Sequence, residues 1–173
     1  TFLLDVNKSS LDFSDISEIA KRNSFVEKEK FHITVLGFKN GREIGKLLKK
    51  FSPEEKQSKL VEIQSLFEKT DWSFVPGGNR YHISKEYKTP DPKNEGKEIS
   101  EVRESYIQMV DLPAIKDFYE RLNSILGLKL ELPPPHITLY TNGTDEKNAQ
   151  KGIGINSEAE LAQLKPELIL DLS

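Results

Sequence analysis

The 173-residue sequence predicts an α+β fold with antiparallel strand pairing rather than a doubly wound parallel sheet. Three observations predict it. Short runs rich in β-branched and aromatic residues recur along the chain, as in KFHITVLGF and HITLYT. Segments with apolar residues at helical spacing lie between them. Gly77-Gly78 stands between two strand-like runs, which marks a tight hairpin, a device of antiparallel sheets.

The elements follow in order. TFLLDV, residues 1–6, reads as a strand. It is too short for a signal peptide and lacks a basic flank, so no leader is expected; opening on Thr1, the chain fits a trimmed or processed one. Residues 14–23 read as a short helix with Ser14 as N-cap and Ile16, Ile19 and Ala20 on one face. Residues 30–38 read as a strand, and 42–50 and 53–69 as helices. The second helix carries Ser52, Pro53 and Glu55, a capping box with proline in the first turn. Residues 72–87 read as the hairpin around Gly77-Gly78, and the polar, proline-containing stretch 88–101 as an exposed loop or flap. A strand is expected over 103–110 and a helix over 113–126, with Ile115, Phe118, Tyr119, Leu122 and Ile125 as its buried stripe. Residues 133–141 begin with prolines and turn strongly β. A polar loop over 142–151, a strand at 152–155 (GIGI), a short helix at 157–164 and a last edge strand in ELILDLS complete the chain.

Composition narrows the function. At 36% hydrophobic and 31% charged the chain is of globular type, and its length fits one domain over 1–173. Lys+Arg less Asp+Glu, 25 − 28, gives a net charge of −3, so a broad grip on duplex nucleic acid is not expected. A small or short phosphate ligand held by a local site suits this charge better. There is no cysteine, which excludes thiol nucleophiles, disulfides and Cys-based zinc sites. That absence is compatible with a reducing compartment, and an intracellular, cytoplasmic location is expected. No apolar run approaches the ~20 residues of a membrane span. There is no G-x-S-x-G elbow and no H-E-x-x-H, and GREIGK (41–46) lacks the spacing of a phosphate-binding P-loop.

The histidines carry the chemistry. All three are followed by isoleucine and then a hydroxyl residue: His32-Ile33-Thr34, His82-Ile83-Ser84 and His136-Ile137-Thr138. On a strand, residues two apart share a face. Each His therefore sits beside its Thr or Ser, with the isoleucine turned to a core. Imidazole exchanges protons near neutrality, and a hydroxyl can hold a phosphate oxygen without adding charge. Two such strands facing each other would place two imidazoles about one phosphorus, with two hydroxyls on its other oxygens.

FHITVLG and PPPHITLYT resemble the two H-x-T motifs of the 2H phosphoesterase superfamily, including the glycine after the first and the proline before the second. The likeness in element order covers residues 1 to about 141. It implies a bilobal, pseudo-two-fold fold, with two antiparallel sheets flanked by helices about a central cleft. It also implies a metal-independent phosphodiesterase in which His32 and His136 are the acid–base pair and Thr34 and Thr138 bind phosphate. The substrate class implied is a nucleotide or short RNA end, with a 2′,3′-cyclic phosphate or a 2′,5′-linkage. No cofactor and no metal are expected, and a monomer is. The alternative is a non-catalytic module of the same fold that binds a nucleotide or RNA end.

Four further residues are drawn in by strand parity. His82 departs from the two-motif pattern and has three readings: it lines the site and touches substrate, replaces one of the pair, or is a surface strand histidine. Arg80 and Ser84 share its face, and Arg80 is a phosphate contact or a solvated charge. Tyr140, four residues from His136, shares that strand face by simple alternation and is a base or phosphate contact, or core. By the same alternation Tyr81 is read as core and Lys85 as pointing away from Arg80 and Ser84.

Overall fold

The computed structural model describes residues 1–143 and 149–169. Among these, seven strands form one antiparallel sheet, joined by five α-helices and two short 3-10 turns. The strands are β1 (Phe2–Val6), β2 (Val26–Glu27), β3 (Phe31–Leu36), β4 (Val75–Pro90), β5 (Glu98–Asp111), β6 (His136–Gly143) and β7 (Glu167–Leu168). Their order across the sheet is β1-β3-β6-β5-β4-β7, with β2 also on β6. The helices are α1 (Ser17–Arg22), α2 (Phe38–Leu48), α3 (Pro53–Lys69), α4 (Ala114–Leu126) and α5 (Glu158–Gln163). No helix among the described residues is long and apolar enough to cross a membrane.

The α+β expectation holds in this form, but two separate sheets are not found. Ile33 of β3 pairs with Ile137 of β6, and this junction welds the two strand groups into one sheet. Both isoleucines are fully buried.

The sheet has two unequal covers. One face meets α1 to α4 through the main core, which includes Ile16, Ile19, Ile44, Ile63, Phe118 and Leu122 with Ile33, Tyr106, Leu139 and Tyr140 from the strands. The other face carries a smaller cluster of Ile83, Ile107, Ile153, Ile155 and Leu161 beneath α5. Local signals explain the helices. Ser52 and Glu55 form the expected reciprocal cap with Pro53 in the first turn, and α4 stops at Gly127, whose φ of 64° is left-handed. α2 begins at Phe38, four residues before the sequence suggests, and runs through Gly41 and Gly45, both poor helix formers. Burial of Ile44 and Leu48 overrides that preference.

Three local readings need correction. Gly77-Gly78 is no turn: both lie inside β4, and neither has a positive φ. Instead, residues 77–79 answer Met109 alone, a bulge between the Pro76–Val110 and Arg80–Gln108 pairs. The real turn is 91–97, and much of the expected 88–101 loop is paired strand, from Lys88–Ser100 to Pro90–Glu98. Among the described residues GIGI at 152–155 has no strand partner. Its period-2 alternation is real, since Ile153 and Ile155 are buried in the small cluster. The backbone runs over the sheet rather than beside it, with Gly152 close to the Thr138 side chain. The last edge strand is found as β7 on β4; residues 170–173 and 144–148, parts of two expected segments, lie outside the described residues.

Candidate active site

The two H-x-T motifs are neighbours. Antiparallel pairing of Ile33 with Ile137 sets His32 opposite Thr138 and Thr34 opposite His136. The isoleucines take the core face, so the two histidines and two threonines share the other. All four are partly exposed, whereas Phe31, Ile33, Val35, Ile137 and Leu139 are buried. The imidazoles then lie diagonally across one strand pair, a spacing of roughly 7–8 Å between side-chain roots.

The edge beside His32 is opened by a local irregularity. Lys28 donates its backbone N–H to Leu139 at 2.9 Å, yet the next pair is Ile33 with Ile137. Residues 29–32 therefore answer Thr138 alone, and the chain bows away from β6 there. Gln150 ties this bow down: its side-chain oxygen accepts from the Glu29 N–H at 3.2 Å and its amide donates to Glu27 O at 3.0 Å. The Lys28 ammonium donates to the Gln150 carbonyl.

The electrostatics of the two imidazoles differ. The His136 Nδ1 lies 2.8 Å from the Pro134 carbonyl oxygen, which can only accept. Nδ1 therefore carries the proton, and in the neutral ring Nε2 is left as the basic nitrogen. Desolvation lowers the His136 pKa; the Pro134 hydrogen bond opposes this, and the nearby His32 adds to it. His32 is also held below the ordinary imidazole range, first by desolvation and then by Lys28, against the Asp5 carboxylate. Asp5 faces His32 directly across β1 and β3.

A pocket of about 410 Å³ opens on this face, lined by Thr34, His136, Lys85, Tyr87, the first turn of α2 from Gly37 to Asn40, and the strap Ile153–Asn156. The first turn of α2 has no side-chain cap, so an anion would be favoured beside it. Across the pocket mouth Glu160 receives Asn156 N–H at 2.8 Å, Asn156 Nδ2 at 2.9 Å and Lys39 Nζ at 3.1 Å. Burial pushes its carboxyl up, but these hydrogen bonds outweigh burial and hold it below the usual range. A larger groove of about 640 Å³ lies along α3 and α4 and contains no histidine. Among the described residues no three His, Asp or Glu side chains gather as a metal-ligand set.

Of the eight sequence-selected residues, Thr34 and His136 line this pocket; His32 and Thr138 share the sheet face but are not part of the lining, and the other four are not brought to it. Tyr140 is turned to the core, where it is 6% exposed and packs edge-on against Phe13. The reason is a bulge at Leu139: Tyr106 pairs with Tyr140 and Ile107 with Thr138, so one extra residue reverses the parity between His136 and Tyr140. Arg80, His82 and Ser84 lie on the same far face. His82 Nε2 is 2.9 Å from Glu104 Oε1, and its ring packs edge-on against Phe25 and Tyr106. Arg80 pairs with the Asp15 carboxylate. Ser84 is exposed opposite Glu104.

The alternate residues of β4 face the pocket instead. Tyr81 pairs with Ile107, which itself pairs with Thr138, so odd-numbered positions of β4 share the histidine face. Lys85 and Tyr87 thus line the pocket, with Lys85 Nζ 5.2 Å and Arg103 Cζ 4.2 Å from the Tyr87 ring centre. Phe38, Lys39 and Asn156 were also not foreseen. Strand parity gives two faces for β4 but no label for which one meets the site. Compared with known proteins, the chain matches no family model, no curated protein and no solved structure.

Proposed function

We propose that this protein is a metal-independent phosphodiesterase that acts on nucleotide or RNA-end phosphodiesters by two-histidine acid–base catalysis. The substrates are of the 2′,3′-cyclic phosphate or 2′,5′-linked class. The finer reading of the fold as 2H phosphoesterase-like belongs to the same proposal. One observation carries it: the Ile33–Ile137 pair places both imidazoles and both threonine hydroxyls on a single face.

A phosphoryl group between the imidazoles would meet a proton acceptor on one side and a proton donor on the other. In hydrolysis of a cyclic phosphate, the neutral imidazole takes a proton from water as the new P–O bond forms. The imidazolium gives its proton to the departing ribose oxygen as the old P–O bond breaks. The two roles exchange when the reaction runs in reverse. Thr34 and Thr138 donate hydrogen bonds to the non-bridging oxygens. The locked Nδ1–H of His136 suits this work, because a fixed tautomer leaves one nitrogen for one task.

The test is turnover of 2′,3′-cyclic nucleotides and 2′,5′-oligoadenylates in EDTA. His32→Ala and His136→Ala should each lower kcat by roughly 10²–10⁴-fold. Binding without turnover across the panel would favour the non-catalytic module. A strict need for a divalent cation would count against the proposal.

A further inference from the structure

Phe38 stands out on the rim of the pocket. It is 73% exposed, the highest value among the exposed large apolar side chains of the described residues. Nothing in the packing of α2 requires it, since the buried positions of that helix are Asn40, Ile44 and Leu48. Among the described residues it also pairs with no other aromatic ring. Yet it lines the same pocket as Thr34 and His136. Arg42, one turn along α2, holds its guanidinium 5.8 Å from the ring centre and braces the ring. The pocket also offers an uncommitted cation. Lys39 is tied to Glu160 at 3.1 Å, but Lys85 is exposed and has no carboxylate partner among the described residues.

We infer that Phe38 is a specificity-determining platform on which the nucleobase of the substrate stacks, with Lys85 on the opposing strand wall neutralising its phosphate charge. The inference rests on the phosphodiesterase reading for the identity of the reacting group, and it adds that the substrate must carry a base. An exposed ring braced by a cation is the arrangement that single-stranded nucleic acid binders use, and it tolerates any base because every base has a flat face.

The experiment compares adenosine 2′,3′-cyclic phosphate with the 2′,3′-cyclic phosphate of 1-O-methylribose, which has no base. The readout is the ratio of their kcat/KM values in the wild type, Phe38→Ala and Phe38→Trp, with thermal unfolding to confirm folding. Stacking predicts that the ratio falls roughly 5- to 150-fold in Phe38→Ala, through KM, and recovers in Phe38→Trp. An unaltered ratio overturns the inference while leaving the phosphodiesterase reading intact. If the wild type turns over neither compound, that reading fails, and stacking is then judged by calorimetry with adenosine 2′-monophosphate and with inorganic phosphate. Loss of nucleotide affinity without loss of phosphate affinity in Phe38→Ala supports the platform; equal effects on both overturn it.

Discussion

Replacing Gly77 with alanine separates a strand bulge from a hairpin turn at Gly77-Gly78. A methyl group at residue 77 would lie 2.8 Å from the Met109 carbonyl oxygen and 3.4 Å from its carbonyl carbon. An ordinary carbon–oxygen contact is longer by roughly half an ångström, and the obstructing atoms are backbone, so no rotamer change relieves the clash. Either β4 or β5 must shift. Overpacking of this kind costs about 1–3 kcal/mol. For a chain of this size that is a fall in Tm of roughly 2–4 °C per kcal/mol. Gly78 is the internal control, because nothing lies within 4 Å of a methyl group there. Gly78→Ala should stay within about 0.5 kcal/mol of wild type. The shift also reaches the site, since Met109 pairs directly with His136. Thermal melts of both variants, with kcat measured alongside, make the test. Equal melting temperatures for Gly77→Ala and Gly78→Ala would refute the close approach. A large loss in both would restore the turn.

Acidification should weaken the fold. Desolvation, with help from neighbouring cations, holds His32 and His136 below the ordinary imidazole value of about 6.5. Between their folded values and about 6.5 the unfolded chain binds more protons, so stability rises with pH across that window and is lost as pH falls through it. Melts from pH 5 to 8 should show this slope flattened in the His32→Asn, His136→Asn double variant; an equal slope there would exclude these groups as its source. The same shifts set the activity profile. One imidazole must be neutral and the other charged, so kcat/KM should peak on the acid side of about 6.5, while kcat, measured with phosphate bound, should peak higher. An optimum above pH 8 for kcat/KM would contradict the assignment. His82→Gln removes the contact with Glu104 on the far face. It should cost about 1 kcal/mol in stability and leave kcat/KM within about twofold, and a loss of a hundredfold would return His82 to the site.

Much of this protein is legible locally. Period-2 alternation in His32-Ile33-Thr34 and His136-Ile137-Thr138 is enough to put each His with its Thr and each Ile against a core, because a strand has only two faces. Ser52, Pro53 and Glu55 announce the start of α3, and the apolar stripe of 113–126 announces α4, since caps and helical spacing act within a few residues. What the sequence could not decide was how those faces are shared out. A single inserted residue at Leu139 sends Tyr140 to the core, and strand parity counted across a bulge gives the wrong face. Parity also grouped Arg80, His82 and Ser84 correctly with one another, but only pairing with β5 shows that Lys85 and Tyr87, not they, turn to the pocket. The junction of Ile33 with Ile137, the strap laid over Thr138 and the placing of Phe38 at the rim all join residues far apart in the chain. Alternation and capping are properties of neighbours along the backbone, whereas a site is made by strands that meet only after the whole sheet has chosen its register.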